Sequence, residues 1–132
     1  MFDKKRVGEI AVKGKVEKWE YPRIFNALKD AGVEYYETSV STHHIVYHGN
    51  GDSVEERPPA DFKKLLISDK FNATGVKDAV KRTQNKETDY GQFLQEIASS
   101  GVIKYKVDMD ERTVTYIGSN DDERYIESVP NF

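Results

Sequence analysis

The sequence predicts an α+β fold: two α-α-β-β-β units whose antiparallel meander sheets pack against helices. Three observations carry that expectation. Residues 21–56 recur, weakly but without a gap, as residues 90–125, at an offset of 69 positions. Tyr21, Gly32, Val33, Tyr36, Tyr47, Gly49 and Asp52 thereby align with Tyr90, Gly101, Val102, Tyr105, Tyr116, Gly118 and Asp121. Within each copy, apolar residues follow helical spacing first and strand alternation afterwards. Glycine-rich turn signals then punctuate both copies at matching places. Periodicity of this kind constrains architecture more firmly than propensity does. It divides one expected domain, residues 1–132, into pseudo-repeats of about 1–69 and 70–132.

Each unit opens with a short amphipathic helix. Asp3 is placed to cap the first, with Val7, Ile10 and Ala11 on one face; Asn72 caps its counterpart, with Val76, Ala79 and Val80 at the same offsets. Both apolar stripes are thin, which puts these helices on the outside of the fold. The second helix of each unit has a stronger face: Tyr21, Ile24, Phe25 and Leu28, then Tyr90, Phe93, Leu94 and Ile97. Pro22 suits a first helical turn, and Thr88 is the expected cap of the later helix. Gly32 and Gly101 follow as helix stops, where a left-handed residue closes the last turn.

The strands can be registered by arithmetic. A hairpin centred on Ser41 and Thr42 sets Tyr36 opposite Tyr47 and Thr38 opposite Ile45. One centred on Asp110 and Glu111 sets Tyr105 opposite Tyr116 and Val107 opposite Val114. Aromatic and β-branched pairs on one face stabilise such ladders, and a one-residue slip would turn all of them to the other face. Asn50-Gly51 signals a two-residue turn into a third strand near 53–56, with Val54 opposite Tyr47. Ser119-Asn120 holds the equivalent turn, before a strand near 122–127 in which Tyr125 faces Val114. Pro58-Pro59 ends the first unit, and residues 65–67 offer an additional strand.

Charged residues make up 33% of the 132-residue chain and apolar ones 37%, the profile of a soluble globular domain. A net charge of -3 argues against bulk affinity for phosphate backbones, so no nucleic-acid partner is expected. The chain has no cysteine, which excludes disulfides, thiolate catalysis and cysteine-ligated zinc and suits a reducing cytoplasm. No apolar stretch approaches the roughly 20 residues that cross a bilayer, so no membrane association is expected. The N-terminus lacks the apolar core of a signal peptide.

The residues from Gly32-Val33 through Tyr36-Glu37-Thr38 to Tyr47-His48-Gly49 continue into Leu65-x-Ile67. With Phe93-x-x-x-Ile97-x-x-x-Gly101-Val102-x-x-Tyr105-x-Val107-Asp108, they form a dispersed pattern over nearly the whole chain. That pattern resembles the YdfO-like family, small prophage-associated proteins often labelled "phage envelope protein". The resemblance implies a phage-related role and carries over no catalytic residues.

The residue clusters offer little chemistry. His43, His44 and His48 invite a metal reading, but along a strand His44 and His48 stand about 13 Å apart, too far to chelate one ion. His43 and His44 point to opposite faces, and Arg112, Thr113 and Ile117 replace the histidines in the second unit. Glu37 shares a face with His44 and His48, a pairing that could serve acid–base chemistry, yet no nucleophile accompanies it. A mixed polar sheet face accounts for it more simply. Counting a calcium loop from Asp108 puts Thr113 and Ser119 where glycine and glutamate are required. The acids at 108–111 and 121–123 therefore read as turn residues. Gly49-Asn50-Gly51 precedes a strand and lacks a phosphate-loop continuation. The four tyrosines at 36, 47, 105 and 116 read as core. Trp19 and Tyr35, whose counterparts are Thr88 and Lys104, are better placed for contact with a partner.

Where the copies differ, a local site has room. Glu34 and Thr38 occupy the face that holds Ile103 and Val107 in the second unit. The candidate binding set is therefore Glu34, Tyr35, Tyr36, Glu37, Thr38, His44 and His48, with no catalytic set, cofactor or metal. The expected function is that of a non-enzymatic, phage-related accessory protein that binds a protein or small ligand. The alternative is a small enzyme or ligand-binding domain with a pocket on the first-unit sheet. Exposed strand edges leave room for a homodimer.

Overall fold

The structure, a computed structural model, describes residues 2–17, 19, 21–58, 60, 62–120 and 122–128, with the side chains of Lys15 and Tyr21 excepted. Two helices, α1 (Lys4–Val16) and α2 (Tyr21–Asp30), precede strands β1 (Tyr35–Ser39), β2 (His44–Gly49) and β3 (Asp52–Glu56). The order then recurs as α3 (Ala73–Gln84), α4 (Tyr90–Ser99), β4 (Lys104–Asp108), β5 (Thr113–Ile117) and β6 (Arg124–Ser128). The six strands form one sheet in the order β3-β2-β1-β4-β5-β6, every neighbouring pair antiparallel. The fold is α+β, with helices over one face of the sheet.

The halves meet at β1 and β4, where Glu37 pairs with Lys106, its counterpart at the offset of 69. Val40 N–H donates to the Ile103 carbonyl at 3.0 Å, and Met109 N–H donates to the Glu34 carbonyl at 2.9 Å. These two bonds exchange under the same offset, so a pseudo-two-fold axis passes between Glu37 and Lys106. Val40 and Met109, fully buried, plug the two hairpin tips into the core.

Local chemistry explains the element ends. Asp3 and Asn72 accept hydrogen bonds from the N–H groups of Arg6 and Gly75 at 3.1 and 3.0 Å, capping α1 and α3 as expected. Gly101 adopts φ +87°, and a Cβ there would stand 2.6 Å from the Lys70 carbonyl oxygen; both the turn and the close approach require glycine. Asn50 and Gly51, at φ 51° and 75°, make the tight turn between β2 and β3.

The hairpin registers follow the sequence reading: Tyr36↔Tyr47, Thr38↔Ile45, Tyr105↔Tyr116, Val107↔Val114 and Tyr47↔Val54. Four expectations are corrected. Tyr125 pairs with Tyr116, and Glu127 takes the place opposite Val114. Gly118 N–H reaches the Glu123 carbonyl, which lengthens the loop by two residues and slides β6 without changing its face. Asp89, not Thr88, caps α4; its carboxylate receives the Gln92 N–H and the Gln92 side chain returns to the Asp89 N–H, closing a capping box. Residues 65–67 are not a strand, and Leu66 is 93% exposed. Leu65 N–H instead ties the segment to the Ser41 carbonyl. The thin stripes of α1 and α3 are also less peripheral than expected, because Val7, Ile10, Val76 and Ala79 are fully buried. Pro59, Asp121 and the side chain of Tyr21 fall outside the description.

Candidate functional site

Strand alternation divides the seven candidate residues between two environments. Tyr36 and Thr38 point into the helix layer, where they are 5% and 0% exposed. Tyr35, Glu37, His44 and His48 point to the opposite face, which carries no helix among the described residues, and all are half-buried. Glu34 precedes β1 and is exposed; its Oε1 accepts the Asn50 N–H at 3.0 Å and so braces the turn between β2 and β3. Glu37 therefore lies on the face opposite Tyr36 and Thr38, and Glu34 is exposed beside the turn. A cleft of about 240 Å³ lies elsewhere, between α1 and β3.

Register builds the open face. Pairing carries Tyr35 to His48 and Asp108, Glu37 to Val46 and Lys106, and Ser39 to His44 and Lys104. Tyr35 and His48 stack with ring centroids 4.4 Å apart and planes 11° from parallel. Lys106 Nζ stands 4.5 Å from the centre of the Tyr35 ring, a cation–π contact across the central strand pair. Beside it, Lys104 Nζ lies 3.4 Å from Glu37 Oε2. His44 Nε2 lies 3.5 Å from Glu55 Oε2, an ion pair only when the imidazole is protonated. The result is an aromatic and cationic centre flanked by paired charges, with Val46, Thr115, Ile117 and Ile126 beside it.

Among the described residues, no group of three or more His, Asp or Glu side chains is arranged to hold a metal ion. The Asp108 carboxylate accepts the N–H groups of Asp110 and Glu111 at 3.0 Å each, the work of a turn acid. Trp19 stacks under the Arg23 guanidinium at 3.9 Å and packs against the core from the segment before α2. Among the described residues, no helix is long and apolar enough to cross a membrane.

Beneath the sheet, one polar chain went unseen in the sequence. His43 takes a left-handed φ of 58° at the end of the first hairpin loop, which swings its ring to the helix side. Its Nε2 lies 2.9 Å from the Tyr90 hydroxyl, which lies 2.7 Å from the Tyr105 hydroxyl. Burial of the phenol, then the nearness of Tyr105, pushes the Tyr90 pKa well above its ordinary value of 10.0. Tyr90 still shows 46% of its surface, so it is the hydroxyl end that is enclosed. Burial also raises Tyr105, and Thr38 opposite it draws the value partly back. Thr38 Oγ1 nevertheless has no aligned hydrogen bond among the described residues.

The hint of this chain lay in the offset, which puts Tyr90 at a helix start and His43 at a hairpin end. Bringing them together required the β1–β4 pairing, which no local signal encodes. Lys104 and Lys106 were missed on the open face for the same reason.

No curated protein matches the chain. Residues 10–128 match the family described as "Protein of unknown function (DUF1398)", and since that match spans most of the sequence, the chain belongs to this family.

Proposed function

We propose that the chain is a non-enzymatic accessory protein that binds another protein through the open face of its sheet. The observation that supports this most is the uncovered face itself. Six strands present Tyr35, His48 and Lys106 as a stacked centre, with mixed charges around it. Aromatic residues at the middle of a flat, polar-rimmed patch suit protein recognition better than enclosure of a small molecule. The network around Tyr90 contributes rigidity, since its hydroxyl is directed away from that face. A phage-related role is part of the proposal and rests on the dispersed pattern from Gly32 to Asp108. A reducing cytoplasm fits the absence of cysteine. Origin by duplication fits the spacing of 69 residues between the first residues of α1 and α3, α2 and α4, β1 and β4, and β2 and β5.

The test is affinity capture from the native host followed by mass spectrometry, with wild type beside a Tyr35→Ala/Lys106→Glu variant. Both positions are on the open face, so the variant keeps its helix-side core. A protein retained by wild type and lost by the variant supports the proposal. Equal retention by both, or no retention together with turnover of a substrate, contradicts it.

A further inference from the structure

The cleft between α1 and β3 is lined by residues whose counterparts in the second half differ in size and polarity. Gly8, Ala11 and Val12 of α1 face Tyr47, Val54 and Glu56 across it. At the offset of 69, Lys77, Val80 and Lys81 replace the three α1 residues. On the sheet, Tyr125 faces Tyr116 where Val54 faces Tyr47. The second half thus carries a phenol ring and long side chains where the first half has Val54, Gly8 and Val12. Val12, which lines the cleft, is 62% exposed, whereas its counterpart Lys81 is charged.

The strand next to the cleft is an edge. The two-residue turn makes Gly49 and Asp52 a hydrogen-bonded pair, so Ser53 and Glu55 turn their backbone N–H and C=O groups away from β2. Asp52 Oδ1 accepts the Ser53 N–H at 2.8 Å, a local bond that an incoming strand could replace. Lys4 Nζ, 2.9 Å from Asp52 Oδ2, pins the start of α1 alongside. Alternation then assigns the added residues. One placed opposite Val54 sends its side chain into the cleft, and its neighbour opposite Glu55 sends its own to the open face, against a carboxylate.

We propose that β3 accepts an extended peptide as a seventh strand, with an apolar residue in the α1 cleft and a basic residue beside Glu55. The ligand class is a segment alternating apolar and basic residues, bound by main-chain hydrogen bonds and read by these two positions. This surface is separate from the centre of the open face, and the inference stands without that reading.

The probe is a fluorescent heptapeptide of alternating lysine and valine, followed by anisotropy against the full chain. Gly8 lines the cleft and a Cβ there meets nothing within 4 Å, so the Gly8→Leu side chain has open space to enter it. Losing one buried apolar anchor predicts a Kd about tenfold weaker for that variant. Glu55→Lys weakens the same peptide and improves a glutamate–valine one. A lysine–serine peptide binds wild type no better than the Gly8→Leu variant does. The proposal is overturned if the lysine–valine peptide fails to bind wild type, or binds Gly8→Leu equally well. Self-association of the chain that Gly8→Leu abolishes and the peptide does not compete would give the cleft to a second copy, and would equally overturn it.

Discussion

His43, Tyr90 and Tyr105 tie a hairpin of the first half to a helix and a strand of the second. Tyr90→Phe leaves two enclosed polar partners one hydrogen bond short, a loss expected to cost about 1–3 kcal/mol in denaturant unfolding. The pH dependence follows from the raised phenols. Unfolded tyrosines ionise near their ordinary value of 10.0, whereas native Tyr90 and Tyr105 hold their protons to higher pH. Their contribution is therefore complete below about pH 10 and lost as pH climbs through the native values. Alkaline unfolding curves should show that decline, and Tyr90→Phe should make it shallower. His43 shows why residue detail escaped the sequence: spacing sent it to the face opposite His44, but nothing local names Tyr90 of the other half as its partner.

Elements were more legible, because their signals are local. Cap residues, glycine stops and both hairpin registers could be placed from spacing alone. The exceptions have local causes too. Thr88 stands one residue ahead of the true cap, and Asp89 forms the reciprocal bonds with Gln92. Asp89→Ala should destabilise the protein by about 1 kcal/mol, and Thr88→Ala by less, in paired thermal melts. The β5–β6 loop is longer than its counterpart because Glu123 closes it, its Oε1 accepting the Asn120 N–H and its carbonyl the Gly118 N–H. Asn50-Gly51 made the shorter turn easy to read, and Ser119-Asn120 carried no equally strong signal.

At the scale of the molecule, the β1–β4 seam decides how the halves depend on each other. Pairing across sequence-distant strands has no local signature, so the offset predicted two units without predicting how they join. Charge at the seam supplies a test. A homodimer of residues 1–69 in the same register would set Glu37 against Glu37, and one of residues 70–132 would set Lys106 against Lys106. Like charges directly opposite are unfavourable, whereas the mixed pair restores Glu37 beside Lys106. Separate fragments should thus fold poorly, and an equimolar mixture should recover the near-ultraviolet signal of the tyrosine-rich core. Fragments that each fold alone as monomers would refute this dependence.

The open face is likewise a property of the whole sheet, since Tyr35 and Lys106 come from opposite sides of the seam. Sequence placed Glu37, His44 and His48 on one face but could not join Lys104 and Lys106 to them. The claim that this face is the binding surface is tested most directly by methyl NMR shift mapping of the chain with its captured host partner. Val46, Ile117 and Ile126 lie on the open face; Val7, Leu28, Val76 and Ile97 lie in the helix-side core. The expected result is perturbation of the first group with the second unchanged, and perturbation centred on the second group would contradict the account.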